Sequence, residues 1–174
     1  MTGRLDWRGA AIERHHDRKL FDCGSVELNI YLQRYARQNH ESGGAKTFVA
    51  EAASEPSRVL GFYSISPGAL EFARVPANLT KKFGRYVLPV FRLGRLAVDH
   101  TAQGRGLGGE LLLAAGERAL AVANEVGGVA LAIGAKDSNA AIWYQRFGAL
   151  PLLDDALKLI LPLSVIAAAI NIAK

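Results

Sequence analysis

The chain has 174 residues, of which 50% are hydrophobic and 21% charged. This composition is typical of one folded globular domain and excludes a disordered chain. The 21 Lys and Arg residues outnumber 16 Asp and Glu residues, which gives a formal net charge of +5. That excess fits either a solvated basic surface or attraction to a polyanion, such as nucleic acid or a phosphate-bearing cofactor.

The single cysteine and the charged N-terminal region indicate a reducing, cytoplasmic location. Cys23 has no second cysteine to pair with, which excludes an intramolecular disulfide and a cysteine-based metal cluster. The N-terminal region carries several charges and no apolar segment, so it does not predict a secretory signal. The apolar run 159–173 is shorter than the ~20 residues of a membrane span. It also contains Pro162 and Asn171, and we therefore predict a buried strand and a short terminal segment.

The first predicted element is an amphipathic helix near Val26–Gln38, with Ser25 as its N-cap. Its apolar positions follow the helical i, i+3, i+4, i+7 spacing. The predicted buried residues are Leu28, Tyr31, Leu32, Tyr35 and Ala36. Two strands follow, Thr47–Ala52 and Val59–Ser66, and Leu70–Ala73 continues this antiparallel set.

The second half of the sequence alternates strands and helices. The predicted elements are a basic stretch at 74–86, a strand at Val87–Val98, a helix at Gly106–Asn124, a strand at Val129–Ala135, a short helix at Ser138–Phe147 and a last strand at Leu157–Leu161. No repeat or linker interrupts this order. The pattern predicts one α/β (α+β) domain over residues 1–174.

The most informative segment is Leu96–Gly109, where a predicted strand ends, a glycine-rich loop follows and a helix begins. At such a helix N-terminus several backbone N–H groups lack partners, and the helix dipole favours negative charge. Glycines allow the backbone to approach an anion closely. The segment therefore predicts a phosphate-binding loop.

Three kinds of phosphate loop can be compared with this segment. A Walker A loop requires Lys and then Ser or Thr after its second glycine, and Glu110 follows Gly109, which excludes that loop. The dinucleotide fingerprint matches at Gly104, Gly106 and Gly109, but it follows antiparallel strands and too few residues remain for a doubly wound domain. A glycine-rich turn that binds no ligand is the structural alternative to all three kinds of loop.

The third loop is the pyrophosphate loop of the GNAT superfamily. In it, Gln or Arg is followed by two variable residues, a Gly, one more variable residue and then Gly or Ala. Gln103, Gly106 and Gly108 match this pattern, so the segment resembles that loop. The resemblance implies the GNAT acyl-CoA N-acyltransferase fold, a mixed central sheet flanked by helices, with acetyl-CoA as the cofactor. The cofactor-binding residues that it implies are Leu96, Ala97, Val98, Gln103, Gly104, Arg105, Gly106, Leu107, Gly108, Gly109 and Tyr144.

A second segment, Ala140–Ala149, resembles the GNAT stretch in which a helix carries a tyrosine shortly before a Phe-Gly turn. In that family the tyrosine lies by the CoA sulfur, so the resemblance implies that Tyr144 is the catalytic general acid. A phenol with a pKa near 10 stays protonated at neutral pH and can donate its proton to a departing thiolate. The alternative is a core aromatic residue with a solvated hydroxyl.

A narrower resemblance covers about residues 18–163. The segments that look like the TacT/AtaT-type toxins of type II toxin–antitoxin systems are Phe21–Gly24, Leu28–Arg37, Gly44–Ala50, Gly61–Ser64 and Leu93–Asp99 joined to the glycine loop. Two features depart from the family: Ala149 stands where Phe is usual, and the tail beyond Pro162 is unusually apolar. Neither departure removes a chemical group, but the tail bears on dimer or partner contacts.

That family acetylates the α-amino group of aminoacyl-tRNA and so blocks translation. The resemblance implies the same activity here, together with a homodimer and a ribbon-helix-helix antitoxin through which DNA is bound. Basic side chains would bind the tRNA phosphates. The candidates are Arg74, Lys81, Lys82, Arg85, Arg92 and Arg95. A scattered basic surface is the alternative.

The sequence shows no carboxylate or histidine motif for a dedicated general base. The reference pKa of an α-amine is about 8 and that of lysine about 10.4, so an α-amine needs less help to attack. In the expected mechanism, acetyl-CoA lies between the strand that ends at Val98 and the strand Val129–Ala135, and an amide near Val98 polarises the thioester carbonyl. The alternatives are a GNAT enzyme for a small-molecule amine or a protein N-terminus, and a non-catalytic binding module.

The histidines show no spacing typical of metal ligands, so the sequence predicts no metal site. We expect surface or loop positions for all four of them, which are His15, His16, His40 and His100.

Overall fold

The computed structural model describes residues 3–83 and 87–173. In these residues, seven strands form one mixed sheet in the order β1-β2-β3-β4-β5-β7-β6. The strands are β1 (Trp7–Ala11), β2 (Lys46–Ala52), β3 (Glu55–Leu70), β4 (Leu88–Val98), β5 (Ala130–Gly134), β6 (Leu150–Pro151) and β7 (Lys158–Pro162). The helices are α1 (Val26–Ile30), α2 (Ala36–Ser42), α3 (Ala77–Thr80), α4 (Leu107–Val126), α5 (Ser138–Gln145) and α6 (Leu163–Ala173). This mixed sheet with helices confirms the predicted fold class.

The chain divides into two compact units. Unit 1 comprises Met1–Ser66 and Gly94–Ala114, and unit 2 comprises Pro67–Leu93 and Ala115–Lys174. Unit 1 contains the antiparallel strands β1 and β2 and much of β3, with Gly9 of β1 opposite Ala50 of β2. Its buried core includes Ile12, Phe21, Tyr31, Leu32, Ala36, Val49, Val59, Phe62 and Ala97.

The predicted first helix is confirmed, but a π-helical turn (Tyr31–Tyr35) separates α1 from α2. Ser25 Oγ accepts a hydrogen bond from Leu28 N–H at 3.4 Å, which confirms the predicted N-cap. In the π-helical turn the N–H of Ala36 bonds to the carbonyl of Tyr31, one residue further back than in an α-helix. The extra residue changes the exposed face, so Tyr35 is 51% exposed while Tyr31 and Ala36 are buried. The predicted burial of Tyr35 was wrong.

Gly61 of β3 lets the first part of α4 pack closely in unit 1. A Cβ atom at this position would lie 2.8 Å from Leu111 Cδ1 and 2.9 Å from the carbonyl oxygen of Ala97. Leu107 and Leu111 are both 1% exposed, so the first two turns of α4 are anchored by buried leucines. The position of α4 determines where its N-terminus, and hence the glycine loop, lies in unit 1.

Unit 2 is built on β5, which pairs in parallel with β4 and antiparallel with β7. Val90 lies opposite Ala130, and Ala130 lies opposite Pro162. The buried core of this unit includes Leu70, Val75, Leu79, Leu88, Val90, Ala130, Leu152 and Ile160. The predicted strands at 129–135 and 157–161 are confirmed within one or two residues.

The apolar tail forms α6, where the sequence predicted only a short terminal segment. Gly116 of α4 makes room for it, because a Cβ atom at Gly116 would lie 2.6 Å from Cγ2 of Ile166. Ile166 is 4% exposed, so the helix buries part of its apolar surface on its own unit. Among the residues that the structure describes, no helix is long and apolar enough to cross a membrane.

Three further elements were not predicted: β1, α3 and β6. The continuation of the antiparallel strand through residue 73 was also wrong. Strand β3 ends at Leu70, and the chain then forms a 3₁₀ turn at Phe72–Arg74. In that turn the N–H of Arg74 bonds to the carbonyl of Glu71 at 3.0 Å, which the sequence pattern alone did not indicate.

Candidate active site

The glycine loop of unit 1 connects the end of β4 to the start of α4. Gly104 has φ 76° and Gly106 has φ 85°, both in the left-handed region. An L residue in this conformation costs roughly 1–2 kcal/mol. Among the described residues, none has an atom within 4 Å of a Cβ built at either position. The backbone conformation therefore requires glycine here, and the space beside the loop is open.

The loop leads into a helix N-terminus that suits an anion. Helix α4 has 20 residues, and its first intrahelical bond runs from Glu110 N–H to the carbonyl of Gly106 at 3.2 Å. The N–H groups before Glu110 have no intrahelical acceptor, and the helix dipole adds partial positive charge. Backbone donors beside open space form a donor set that fits a pyrophosphate group.

The side chain of Gln103 braces this loop. Its Nε2 donates to the carbonyl of Val98 at 2.8 Å and to the carbonyl of Cys23 at 3.1 Å. The N–H groups of the amide are therefore used within the protein. In this structure, Gln103 joins the loop to the end of β4 and to the segment before α1.

Asp99, directly after β4, is a residue whose role the sequence analysis missed. It is 4% exposed and accepts hydrogen bonds from Asp22 N–H at 2.9 Å and from Thr101 N–H at 3.0 Å. Burial acts to raise the pKa of Asp99, but hydrogen bonds from Thr101 and Asp22 outweigh it and hold the pKa below its ordinary value. An Asp before a helical turn is a typical N-cap, and this pattern was visible in the sequence.

The N-terminal segment is attached to the start of α4. Arg105 donates from Nε and Nη2 to the carbonyl of Gly3 at 3.1 and 3.0 Å. Glu110 accepts from Arg4 Nε at 3.0 Å and from Trp7 Nε1 at 2.6 Å. Two N–H groups of Arg105, which is a predicted cofactor-binding residue, thus bond within the protein itself.

The other predicted cofactor-binding residues offer mainly backbone groups to a cofactor. Ala97 and Leu107 are buried, at 6% and 1% exposed, so their side chains belong to the core. Leu96 and Val98 are half-buried at the end of β4. Gly108 and Gly109 lie in the first turn of α4.

Tyr144 lies in unit 2, near the end of α5. Asp137 caps this helix by accepting a hydrogen bond from Ala140 N–H at 2.8 Å. Tyr144 is 7% exposed, and its ring packs edge-on against Trp143 with the ring centroids 4.9 Å apart. Burial raises the pKa of Tyr144 to about 12, so the phenol keeps its proton throughout the neutral range.

Residues 43–148, more than half of the chain, match the family described as Acetyltransferase (GNAT) domain. The protein is a GNAT acetyltransferase. It is 36% identical over 127 residues to a protein named tRNA-acetylating toxin from Mycobacterium tuberculosis (strain ATCC 25618 / H37Rv). That match covers 73% of this chain and 74% of the relative.

Solved structures of similar proteins agree with this assignment. A tyrosine-to-phenylalanine mutant of KacT is 25% identical, with a TM-score of 0.88 and coverage of 94% of this chain and 99% of the other. AtaT complexed with acetyl-methionyl-tRNAfMet is also 25% identical, with a TM-score of 0.87 and coverage of 95% and 99%. As a GNAT family member, this acetyltransferase is an acetyl-CoA-dependent N-acetyltransferase, and the donor set of its glycine loop fits the cofactor pyrophosphate.

The predicted tRNA-binding side chains of the acetyltransferase do not behave alike. Arg74 is paired with Asp154 at 2.9 Å, which partly neutralises it. In unit 1, the guanidinium carbon of Arg95 lies 3.7 Å from the ring centroid of Tyr31. Of the remaining candidates, Lys81, Lys82 and Arg92 of unit 2 are exposed. Arg85 lies outside the described residues.

His16 lies in the loop after β1, in agreement with the predicted surface or loop position, but it is buried there and not at the surface. Its Nε2 lies 2.7 Å from Glu51 Oε2, and its Nδ1 accepts from Glu13 N–H at 2.9 Å. His15 Nε2 lies 3.3 Å from the same oxygen of Glu51. Because Nδ1 of His16 is an acceptor, the neutral ring carries its proton on Nε2 and donates it to Glu51. That proton occupies the nitrogen that a metal ion would need. We therefore interpret His15, His16 and Glu51 as a carboxylate that is hydrogen-bonded to histidines.

Proposed function

We propose that this acetyltransferase is a toxin that acetylates the α-amino group of aminoacyl-tRNA and thereby blocks translation. The observation that carries the proposal is the 36% identity over 127 residues to a tRNA-acetylating toxin. The likeness to AtaT, which was solved with acetyl-methionyl-tRNAfMet, supports it. In this proposal residues 1–174 act as one acetyltransferase domain in the cytoplasm, where charged tRNA is found.

The proposed binding site uses backbone groups of unit 1. The amides from Gly104 to Gly109 hold the pyrophosphate, and the backbone N–H of Val98 polarises the thioester carbonyl. When bound, acetyl-CoA would supply the acetyl group from its thioester, and CoA would leave as a thiol. Leu96 and Ala97 contribute backbone at the end of β4.

The proposed chemistry needs one proton donor. Tyr144 Oη holds a proton that its raised pKa, about 12, retains at neutral pH, and donates it to the leaving sulfur. The attacking α-amine has a reference pKa of about 8, so a useful fraction is neutral without a dedicated base. This favours an aminoacyl ester over a lysine side chain as the acceptor.

The proposed partners come from the family resemblance. They are a second copy of the chain in a homodimer, and a ribbon-helix-helix antitoxin through which the complex binds DNA. Exposed Lys81, Lys82 and Arg92 in unit 2 and Arg95 in unit 1 are the proposed contacts to tRNA phosphates. The test is the slope of log K for tRNA binding against log salt concentration. A less steep slope after these residues are neutralised would support this role.

The function is tested by incubating the enzyme with acetyl-labelled acetyl-CoA and a charged total tRNA pool. Deacylated tRNA and free amino acids serve as acceptor controls, and the Tyr144→Phe variant serves as the enzyme control. We expect label on charged tRNA alone. Mild base should release this label from the tRNA because it hydrolyses the aminoacyl ester. Label on free amino acids, or bound acetyl-CoA without transfer to tRNA, would instead favour a small-molecule or peptide amine as the acceptor.

A further inference from the structure

Two aspartates connect distant parts of unit 1 beside the cofactor loop. Asp22 Oδ1 folds the turn Phe21–Gly24 by accepting from Gly24 N–H at 2.9 Å and from Asn29 Nδ2 at 3.0 Å. Asp99 then binds the backbone of this turn through Asp22 N–H at 2.9 Å. The turn and the loop are 77 residues apart in sequence, so this connection is tertiary.

Further hydrogen bonds hold the residues that follow Asp99. His100 N–H donates to the carbonyl of Asp22 at 2.8 Å, and Gln103 Nε2 donates to the carbonyl of Cys23. Thr101 gives both its N–H and its hydroxyl to Asp99 Oδ2. Arg58 Nη2 donates to the hydroxyl of Thr101 at 2.8 Å, which directs the hydroxyl proton towards Asp99. Residues 99–103 are therefore fixed at nearly every step before the glycines begin.

The charge of Asp99 argues for a geometric role. A buried carboxylate is costly unless hydrogen bonds satisfy it, and here three donors do so. A negative charge just before an anion-binding loop also opposes anion binding electrostatically. Its benefit to the loop must therefore come from the directions it imposes on the backbone.

We infer that Asp99 is a positioning residue for acetyl-CoA: by holding residues 99–103 against the turn Phe21–Gly24, it aims the loop amides at the pyrophosphate. The inference rests on the proposed cofactor role of the glycine loop. In this inference Asp99 acts through the loop backbone and makes no contact of its own with the cofactor or the acceptor. Displacements of about 1 Å in positioning groups can cost about 100-fold in rate, so small errors in this loop matter.

The test compares Asp99→Asn with Glu51→Gln. Both changes neutralise a buried, multiply hydrogen-bonded carboxylate of unit 1, but Glu51 binds His15 and His16 and not the loop. We expect Asp99→Asn to raise the Kd for acetyl-CoA about 10-fold and Glu51→Gln to leave it within about 2-fold at a similar loss of Tm. Thr101→Val is a milder second variant, and Thr101→Ser is its control because it keeps the hydroxyl.

A second ligand separates positioning from general damage. Acetylpantetheine carries the thioester but lacks the pyrophosphate, and its affinity is measured by competition. We expect Asp99→Asn and Thr101→Val to change this affinity less than about 2-fold. The inference is overturned if both ligands lose affinity in parallel, if Glu51→Gln matches Asp99→Asn, or if neither loop variant weakens acetyl-CoA binding.

These affinities need no acceptor, so they are independent of the proposed substrate. A wild-type enzyme that binds acetyl-CoA but acetylates no charged tRNA would refute the proposed function alone. The comparison of the loop variants would still decide the role of Asp99.

Discussion

The cofactor loop of unit 1 and the Tyr144 region of unit 2 are built on opposite principles. In the loop, two glycines with positive φ and a buried, ionised aspartate fix a run of backbone amides. At Tyr144, a single hydroxyl lies on a ring that is 7% exposed and packs against Trp143. The first region depends on polar contacts throughout, and the second depends on the burial of one phenol.

The difference teaches that binding and proton donation need different surroundings. A pyrophosphate is recognised by many directed donors, which require a rigid backbone. A phenol stays protonated when burial disfavours its anion, which requires apolar neighbours. Substitutions in the two regions should therefore affect different kinetic constants.

The largest expected effect comes from Tyr144→Phe, which removes one hydroxyl and keeps the packed ring. We expect kcat to fall by about 10²–10⁴-fold, because a general acid is lost, while the Kd for acetyl-CoA stays near that of the wild type. Steady-state kinetics and calorimetry measure the two quantities. Tyr35→Phe is the matched control, since Tyr35 is 51% exposed. Equal kcat in both variants would remove Tyr144 from the chemistry.

Gly106→Ala tests the other side of the comparison. At φ 85° an alanine costs roughly 1–2 kcal/mol, and relief of this strain would turn the loop amides away. We expect KM for acetyl-CoA to rise about 10-fold, with kcat largely retained at saturation. Gly44→Ala is the control, because Gly44 has no positive φ and its nearest contact would be 4.0 Å away. A fall in kcat alone would contradict the separation of roles.

Acid should weaken unit 1 through its ionised carboxylates. Burial acts to raise the pKa of Glu51, but hydrogen bonds from His16 and His15 outweigh it and lower the pKa. A depressed folded pKa contributes stability above the unfolded value, and this stability is lost as pH falls through the folded pKa. We expect the free energy of unfolding of Glu51→Gln to be about 1.5–3 kcal/mol below that of the wild type near neutral pH. On acidification this difference between the variant and the wild type should shrink.

Urea unfolding near neutral pH and in acid measures this difference. The chain has two tryptophans, Trp7 in unit 1 and Trp143 in unit 2, so single Trp→Phe variants report each unit separately. Equal acid sensitivity of Glu51→Gln and the wild type would remove Glu51 from the acid response.

The smallest expected effect is an absence of titration at Tyr144. Catalysis needs the protonated phenol, and its raised pKa places the loss of that proton near pH 12. The pH profile of kcat should therefore rise as the α-amine deprotonates near its reference pKa of about 8, without a falling limb at the ordinary phenol pKa of about 10. A falling limb near that value would mean that Tyr144 is solvated in the working enzyme.

Local patterns made much of the fold predictable. The glycine loop and α4 follow from glycines, a helix dipole and apolar spacing within one short segment. Strand β5 follows from an uncharged run of β-forming residues. Strand β1 was missed because its five residues, Trp7–Ala11, carry a charge and gain their structure from pairing with β2.

What the sequence could not supply were contacts between distant residues. The outward turn of Tyr35 depends on a π-helical bond that forms in the folded core. The bonds from Asp99 to Asp22 and from His16 to Glu51 join residues 77 and 35 positions apart. A single sequence contains no spacing rule for such pairs, so the support of the candidate site became visible only in three dimensions.

The bond between Arg105 and the carbonyl of Gly3 has a practical consequence for handling the protein. Anything fused ahead of Gly3 begins beside the cofactor loop. We expect an affinity tag there to crowd the loop, so it should be cleaved before binding is measured. We also expect a fluorophore attached at the same end to report acetyl-CoA binding by a change in its emission.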